Sequence, residues 1–443
     1  MRSLMLALVL SGMAPIAFAD GTTLAEALAS AYATNPRLEA ARAATRAADE
    51  GVPQARAAGR PQLISTSSAG VNALGDDLPV ARQSLALSQL LYAGGGVRAA
   101  TKAAERSAEA EGARQRQIEQ EVLVDAVRAF TAVVRDRRVL ELARENEDSL
   151  RLELEATRDR ERFGDLTETD IHQADSRHAA GTAGRIAAEG ALEIAEADYE
   201  RAIGDRPGTL DPAPLPEAMP ATLDQALSQA EESWAVQAAE ADLDAARESV
   251  DVSLAAIKPR LTLVGELSYA ADGGQQYGSG GGAAVGATLS VPLYQGGGDY
   301  ARIRQSREVL SQRRYARDDA RRATRSGVVE AWAATSTAAA MIRSVGRQVT
   351  AARFALAGVR QEAAIGARGV VDILDAEREL FEAEVDLVRA ERDRVLAAYR
   401  LLAAIGRLTA GDLGLPRDGG NGGSDRDVVD TEMFDPAAVT DDE

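Results

Sequence analysis

The sequence has no cysteine, so no disulfide can form even if the chain is exported, and a lipid anchor carried on a cysteine is excluded. It has almost no lysine: Lys102 and Lys258 stand alone among arginines. It has no surplus of positive charge either. The net charge is −19 and the pI is near 4.8, which argues against nucleic acid as a partner. Aromatic residues make up only 4%, while alanine is abundant. That excludes an aromatic-rich globular core and favours closely packed helices. Beyond the first residues there is no apolar run long enough for a membrane-spanning helix. A mature chain seated in a membrane would have to cross it as a β-barrel.

The start of the chain reads as a cleaved signal peptide over residues 1–19. Met1-Arg2 is a short basic start, Leu4 to Leu10 is apolar, and Ala17-Phe18-Ala19 before Asp20 is a small-x-small cleavage site. Its loss removes Arg2 and leaves the mature chain one unit more negative.

What the sequence does contain, it contains twice. Leu87-Ser88-Gln89-Leu90-Leu91-Tyr92-Ala93-Gly94-Gly95-Gly96 returns as Leu289-Ser290-Val291-Pro292-Leu293-Tyr294-Gln295-Gly296-Gly297-Gly298. Phe163-Gly164 returns as Ile365-Gly366, and Ile203-Gly204 as Ile405-Gly406, all at one constant offset. A long internal repeat implies two copies of one structural unit. The first spans residues 20–208 and the second 222–416, with a proline-rich linker at 209–221 that carries Pro212, Pro214, Pro216 and Pro220.

Each repeat opens on a threonine-capped helical pattern, Thr23-Leu24 and Thr222-Leu223, which the spacing carries as one helix toward Pro61 and Pro259. The period then shortens to two. Leu261, Leu263, Gly265, Leu267 and Tyr269 share one face, and Thr262, Val264, Glu266 and Ser268 the other. A hairpin is predicted at 62–92 and another at 260–294, each across a turn rich in Gly, Asp or Asn. Four strands cannot close a spanning barrel, which needs about 8, so a barrel would have to be shared between subunits.

A glycine triplet then opens a long helical stretch, with no proline from Val97 to Arg162. At about 1.5 Å per residue it would extend roughly 100 Å, which requires partner helices. The returning helices carry heptad stripes. Ile373, Leu380, Leu387, Arg394 and Leu401 alternate with Ala376, Ala383, Ala390, Ala397 and Ala404. In the first repeat Ile171, His178, Arg185, Leu192 and Tyr199 alternate with Ala174, Gly181, Ala188, Ala195 and Ala202. One stripe is large and one small, so a coiled-coil packing with close helix approach is expected. The Gly- and Asp-rich tail, 417–443, lacks periodicity and reads as disordered.

No constellation for catalysis or metal binding stands out. The glycine triplets lack the Gly-Lys-Ser/Thr ending of a phosphate loop and read as strand-to-helix bends. His172 and His178 lie six apart and share no helix face, and no cysteine supports them. Asp372 and Asp375, read alone, are a solvated helix start whose carboxylates favour the N-terminal dipole. No enzyme and no cofactor is expected.

Signal peptide, duplicated helix–hairpin–helical-hairpin and LYxGGG turns together resemble the TolC family of outer-membrane channels, over roughly residues 22–415. The most specific stretch is Ile365 to Ala376, similar to the family's helix-to-helix turn, with Phe163 to Ile171 as its first-repeat counterpart. The resemblance implies a mainly α fold. A long α-helical coiled-coil barrel would be joined to four strands per chain, and three chains would share a 12-stranded transmembrane β-barrel in outer-membrane lipid. It also implies docking of a periplasmic adaptor and an inner-membrane transporter, either an ABC or a proton-driven pump. Asp372 and Asp375 would form the gating and selectivity rings. Arg368, Thr169 and Asp170 would close the entrance, and Gly164, Leu166, Gly366 and Arg368 would receive the adaptor. Ala363 departs from the pattern, standing where some members carry a tyrosine. The linker is closest to members serving type I protein secretion. The competing class is a soluble periplasmic coiled-coil adaptor or scaffold, which has the helices but no need of four strands with an alternating face.

Overall fold

The computed structural model describes residues 21–72, 78–164, 166–272 and 280–415. The signal peptide, the tips of both hairpins, Asp165 and the acidic tail lie outside these residues.

The first repeat begins with three short helices, α1 (Leu24–Thr34), α2 (Pro36–Asp49) and α3 (Gly51–Ala57). The pattern read as one helix is therefore interrupted. Pro36 disfavours the helical conformation in the residue before it. Asn35 is accordingly extended, at φ −72 and ψ 119, and its side chain accepts a bond from Arg37 N at 3.0 Å to cap α2. The second repeat breaks in the same way, into α6 (Leu223–Ala230) and α7 (Trp234–Ala255), with Ser233 extended between them. Gly406 passes closely there: a Cβ on it would lie 3.3 Å from the Ser233 Cα.

The strands β1 (Gln62–Asn72), β2 (Leu78–Ala93), β3 (Arg260–Asp272) and β4 (Gly280–Ser290) form one antiparallel sheet in the order β1-β2-β3-β4. The join between the two hairpins is the β2–β3 ladder, with Leu85 opposite Leu267 and a register shift between Leu90 and Tyr92. Directly paired residues share a face. One face therefore carries Leu63, Leu85, Leu87, Leu263, Leu267, Tyr269, Val285 and Leu289. The other carries Thr66, Ser68, Arg82, Ser84, Ser88, Glu266, Ser268 and Thr288. β4 stops at Ser290, short of the Tyr294 that the alternation predicts, because Pro292 has no N–H to give a ladder.

Four long helices complete the chain. These are α4 (Gly96–Arg162) and α8 (Gly298–Ala364), of 67 residues each, and their returns α5 (Glu168–Ile203) and α9 (Val370–Ala404). The chain divides into two compact units, and each takes segments from both repeats.

One unit comprises Asp125–Leu215 and Ala338–Leu396 with the described part of Met1–Ala31. Leu150 and Leu154 of α4 pack there with Ala174 of α5 and with Val370 and Leu374 of α9. A second cluster joins Leu140 and Ala143 to Ala188, with Leu192 and Phe381 against it. In the first repeat the small stripe is the more deeply buried of the two, while in the second Ile373 and Leu401 of the large stripe are buried as well. Ala174 and Ala383 are wholly covered, whereas Ile171, His178, Arg185 and Leu192 are half-buried. Gly181 shows why size matters, since a Cβ there would meet Leu150 Cδ1 at 2.8 Å.

The other unit holds the sheet, α2, α3, α6, α7, the opening parts of α4 and α8, and the chain after Leu396. Buried Glu119 of α4 accepts from Ala410 N at 2.8 Å and fixes the segment beyond α9.

Candidate functional site

The site suggested by sequence lies in the two helix-to-helix turns, both within the unit that contains Asp125–Leu215 and Ala338–Leu396. Each turn needs a residue in left-handed backbone, and each supplies glycine: Gly164 has φ +83 and Gly366 has φ +80. α8 ends in a full Schellman arrangement, with Gly366 N bonded to Ala363 O at 3.0 Å and Ala367 N to Glu362 O at 2.9 Å. Gly164 N bonds Glu161 O in the same way at 2.7 Å.

The following helices start on carboxylate caps. Asp170 Oδ2 accepts from the Thr167 backbone N at 2.9 Å and from its hydroxyl at 2.7 Å. The backbone bond, then the hydroxyl bond, hold the Asp170 carboxyl below its ordinary range. Asp372, its counterpart in the second repeat, accepts from Gly369 N at 3.0 Å. Thr169 is exposed beside Asp170. Leu166 packs on the cluster of Leu150, Leu154, Ala174, Val370 and Leu374, which ties the first turn to the start of α9.

Arg368 does not reach Asp170 or Thr169 in the chain. Its Nε pairs with Glu362 Oε2 at 2.9 Å, and Asp372 lies 3.8 Å from its Nη1. The arginine has two acids closer in sequence, and Asp170 is engaged by its own turn. Asp375 is paired with Arg177 of α5 at 2.7 Å, a partner that the sequence reading missed. The two residues are far apart along the chain, and only the packing of α5 beside α9 brings them together.

Phe163 and Ile365 project into solvent at the two turns, exposed by 84% and 81%. Each turn thus exposes one large apolar side chain. Among the described residues no group of three or more His, Asp or Glu side chains is placed to hold a metal ion. His172 instead lies 3.8 Å from Glu168 on an exposed turn of α5.

No described helix is long and apolar enough to cross a membrane. Large apolar side chains are exposed on one face of a four-stranded sheet whose outer strands β1 and β4 are unpaired on one side among the described residues. A sheet like this, carried on long paired helices, defines a subunit of an outer-membrane channel.

The chain belongs to the outer membrane efflux protein family, whose profile matches residues 27–205 and 223–407. It is 33% identical over 411 residues to the outer membrane efflux protein BepC of Brucella suis biovar 1, covering 92% of this chain and 89% of that protein. It is 30% identical over 285 residues to the alkaline protease secretion protein AprF of Pseudomonas aeruginosa, covering 61% of this chain and 58% of that one. The solved outer-membrane channel OprN has the same fold, with a TM-score of 0.77 at 22% identity over 86% of this chain and 89% of that chain. The TolC-family resemblance is thereby confirmed, and the soluble adaptor or scaffold is set aside. The protein is an outer-membrane channel that extends into the periplasm and conducts export substrates passively.

Proposed function

We propose that three copies of this chain form one channel-tunnel, opened at its periplasmic end by an adaptor and an inner-membrane transporter. The observation that carries this reading is the four-stranded sheet with one apolar face and two unsatisfied edges. Exposed edges in lipid leave backbone groups unpaired at several kcal/mol each, by the cost of about 2–7 kcal/mol for an unsatisfied amide. Because β1 and β4 are antiparallel, β4 of one copy extends the sheet onto β1 of the next without reversing the pattern. Three copies give twelve strands, enough for closure. The chain carries no residues that we assign to catalysis, so the energy for export comes from the transporter.

Within that assembly Asp372 and Asp375 of three copies surround one axis and form the cation-selective constriction. Arg368 reaches Thr169 and Asp170 of a neighbouring copy to hold the entrance shut. The glycine turns at Gly164 and Gly366, with Leu166, Arg368 and the exposed Phe163 and Ile365, receive the adaptor. The relatives named for efflux and for alkaline protease secretion support small molecules, polypeptides or both as cargo.

Two experiments test this reading. The absence of cysteine makes disulfide mapping clean: a cysteine at Ser65 of β1 is combined in turn with cysteines along β4. A β1–β4 cross-link between copies, in a heat-labile trimer from outer-membrane extracts, is the expected result. A monomer without cross-links sinks the reading. In planar bilayers, replacing Asp372 and Asp375 together by Asn should weaken cation selectivity and abolish block by a trivalent cation from the periplasmic side. Unaltered block removes both residues from the pore.

A further inference from the structure

Behind the two turns, α4, α8 and α9 enclose a polar cluster that the channel reading does not use. Glu377 of α9 is only 5% exposed. Its Oε1 accepts from Arg360 Nη2 of α8 at 2.6 Å and from Ser149 Oγ of α4 at 2.9 Å. Its Oε2 has no partner and no access to solvent. Glu153, one turn beyond Ser149 on α4, likewise has a buried Oε1 without a partner. Two orphaned carboxylate oxygens in one enclosed cluster are costly when both acids are ionised, because only charge-paired or hydrogen-bonded carboxylates are tolerated in such sites. Arg360 gives its short bond to Glu377, and Arg160 of α4 is the cation with the larger influence on Glu153. No third acid or histidine completes a cation site among the described residues.

We propose that Glu153 and Glu377 bind one shared proton, which ties α4 to α9 behind the entrance. In the bound state the Glu153 hydroxyl donates to Glu377 Oε2, and both orphaned oxygens gain a partner. Release of the proton leaves two enclosed negative charges against Arg360, and the two helices repel.

The charged groups facing Glu153 agree with this. Burial, the largest influence, pushes its carboxyl up; Arg160 of α4 opposes that, Glu377 adds to it, and Arg360 opposes it. An acid raised in the folded state contributes stability that is whole below its unfolded pKa and is lost as pH rises through the folded value. The clamp therefore holds at lower pH and loosens as pH rises through the raised folded-state value of Glu153.

The link to opening rests on the reading of these turns as the entrance; the proton site itself does not. Infrared difference spectroscopy of the detergent-purified protein reads the proton directly. The protonated-carboxyl band should persist in the wild type to higher pH than an exposed glutamate allows, fall as pH rises further, and be missing in Glu153→Gln, which mimics the protonated state. In planar bilayers the wild-type open fraction should rise several-fold across the pH range in which the band falls, and Glu153→Gln should flatten that profile. Glu153→Leu, which removes both the charge and the need for a partner, should flatten it equally. A wild type without the band, or variants that keep the band, overturns the proton site. A band that behaves as expected with an unchanged conductance profile overturns the clamp. Failure of any variant or wild type to form pores condemns the channel reading instead, since the infrared result stands without it.

Discussion

Gly94 and Gly296 hold the same place in the two repeats and nearly the same backbone, at φ +61 and φ +62, yet their surroundings differ completely. Gly94 is buried. A Cβ on it would lie 2.6 Å from Lys258 Cβ, and Lys258 Nζ donates to Gly94 O at 3.1 Å. Gly96 is closed in by Ala255, whose Cβ would be 2.9 Å from an added one. Around Gly296, Gly297 and Gly298 nothing would touch an added Cβ. Tyr294 is 88% exposed, while Tyr92 in the matching position is 52% exposed. The first turn is packed by the end of α7 and the start of β3, that is, by the second repeat. The second turn has the same sequence need and no partner in its own chain. In the trimer proposed above, the partner of matching chemistry would be the first repeat of another copy, where Arg60-Pro61 precedes β1 as Lys258-Pro259 precedes β3. Duplicated sequence thus shows, inside one chain, what the contact between two chains should look like.

The largest expected effect probes whether edge and centre of the sheet are equivalent. Leu263→Arg on β3 and Leu63→Arg on β1 each place a cation on the apolar face. Each should lower assembly by about 2–4 kcal/mol if that face is in lipid, seen as lost trimer in the outer membrane. A mild Leu63→Arg beside a severe Leu263→Arg would make β1 a true edge and break the comparison.

Next come the glycines. Gly94→Ala combines left-handed strain, about 1–3 kcal/mol, with overlap on Lys258. Gly296→Ala carries the strain alone unless another copy packs there. Equal losses in trimer melting temperature would show that the second turn is covered as the first is. A distinctly smaller loss for Gly296→Ala would show it open.

Third, the small stripes should be intolerant of bulk in both repeats. Ala383→Leu should overpack its seam by about 1–3 kcal/mol, and Gly181→Leu, its counterpart, should do likewise. Thermal melting of the trimer separates them, and no loss for either would mean that its face is not a packing face.

The smallest effect concerns the caps. Asp170→Ala and Asp372→Ala should each cost about 0.5–2 kcal/mol, and Asp170→Ala the more, because Asp170 accepts two bonds and Asp372 one. The Asp170 carboxyl is depressed, so its contribution is present above its unfolded pKa and fades as pH falls through the folded value. The protection factors of the amides at the start of α5, with the intrinsic pH dependence of exchange divided out, should fall in acid in the wild type and stay constant there in Asp170→Ala.

Much of this architecture was legible because its signals are local. The period-two runs located the strands, the heptads located α5 and α9, and Gly164 and Gly366 located the turns. Two errors came from reading past proline. Pro36 ends α1 before Asn35 is reached, and Pro292 ends β4 four residues early. What could not be read were pairings made at a distance. The β2–β3 ladder joins strands from different repeats with no turn to announce it. Arg177 meets Asp375, and Glu153 shares its enclosure with Glu377, only because helices far apart in the chain pack side by side. The candidate site was therefore found by motif, while the ion pairs that hold its side chains were not.

The Arg177–Asp375 pair has a consequence for how two halves of one gene drift apart. The matching positions in the other repeat are Glu379 and Gln173, which cannot form such a pair. A ring built from six identical half-length chains would carry this bond at every seam or at none. Fusion of two halves lets it be kept at alternate seams, once per chain. In the trimer proposed above, duplication would give the ring two kinds of joint at these positions, one with this ion pair and one without it, which no half-length ancestor could encode.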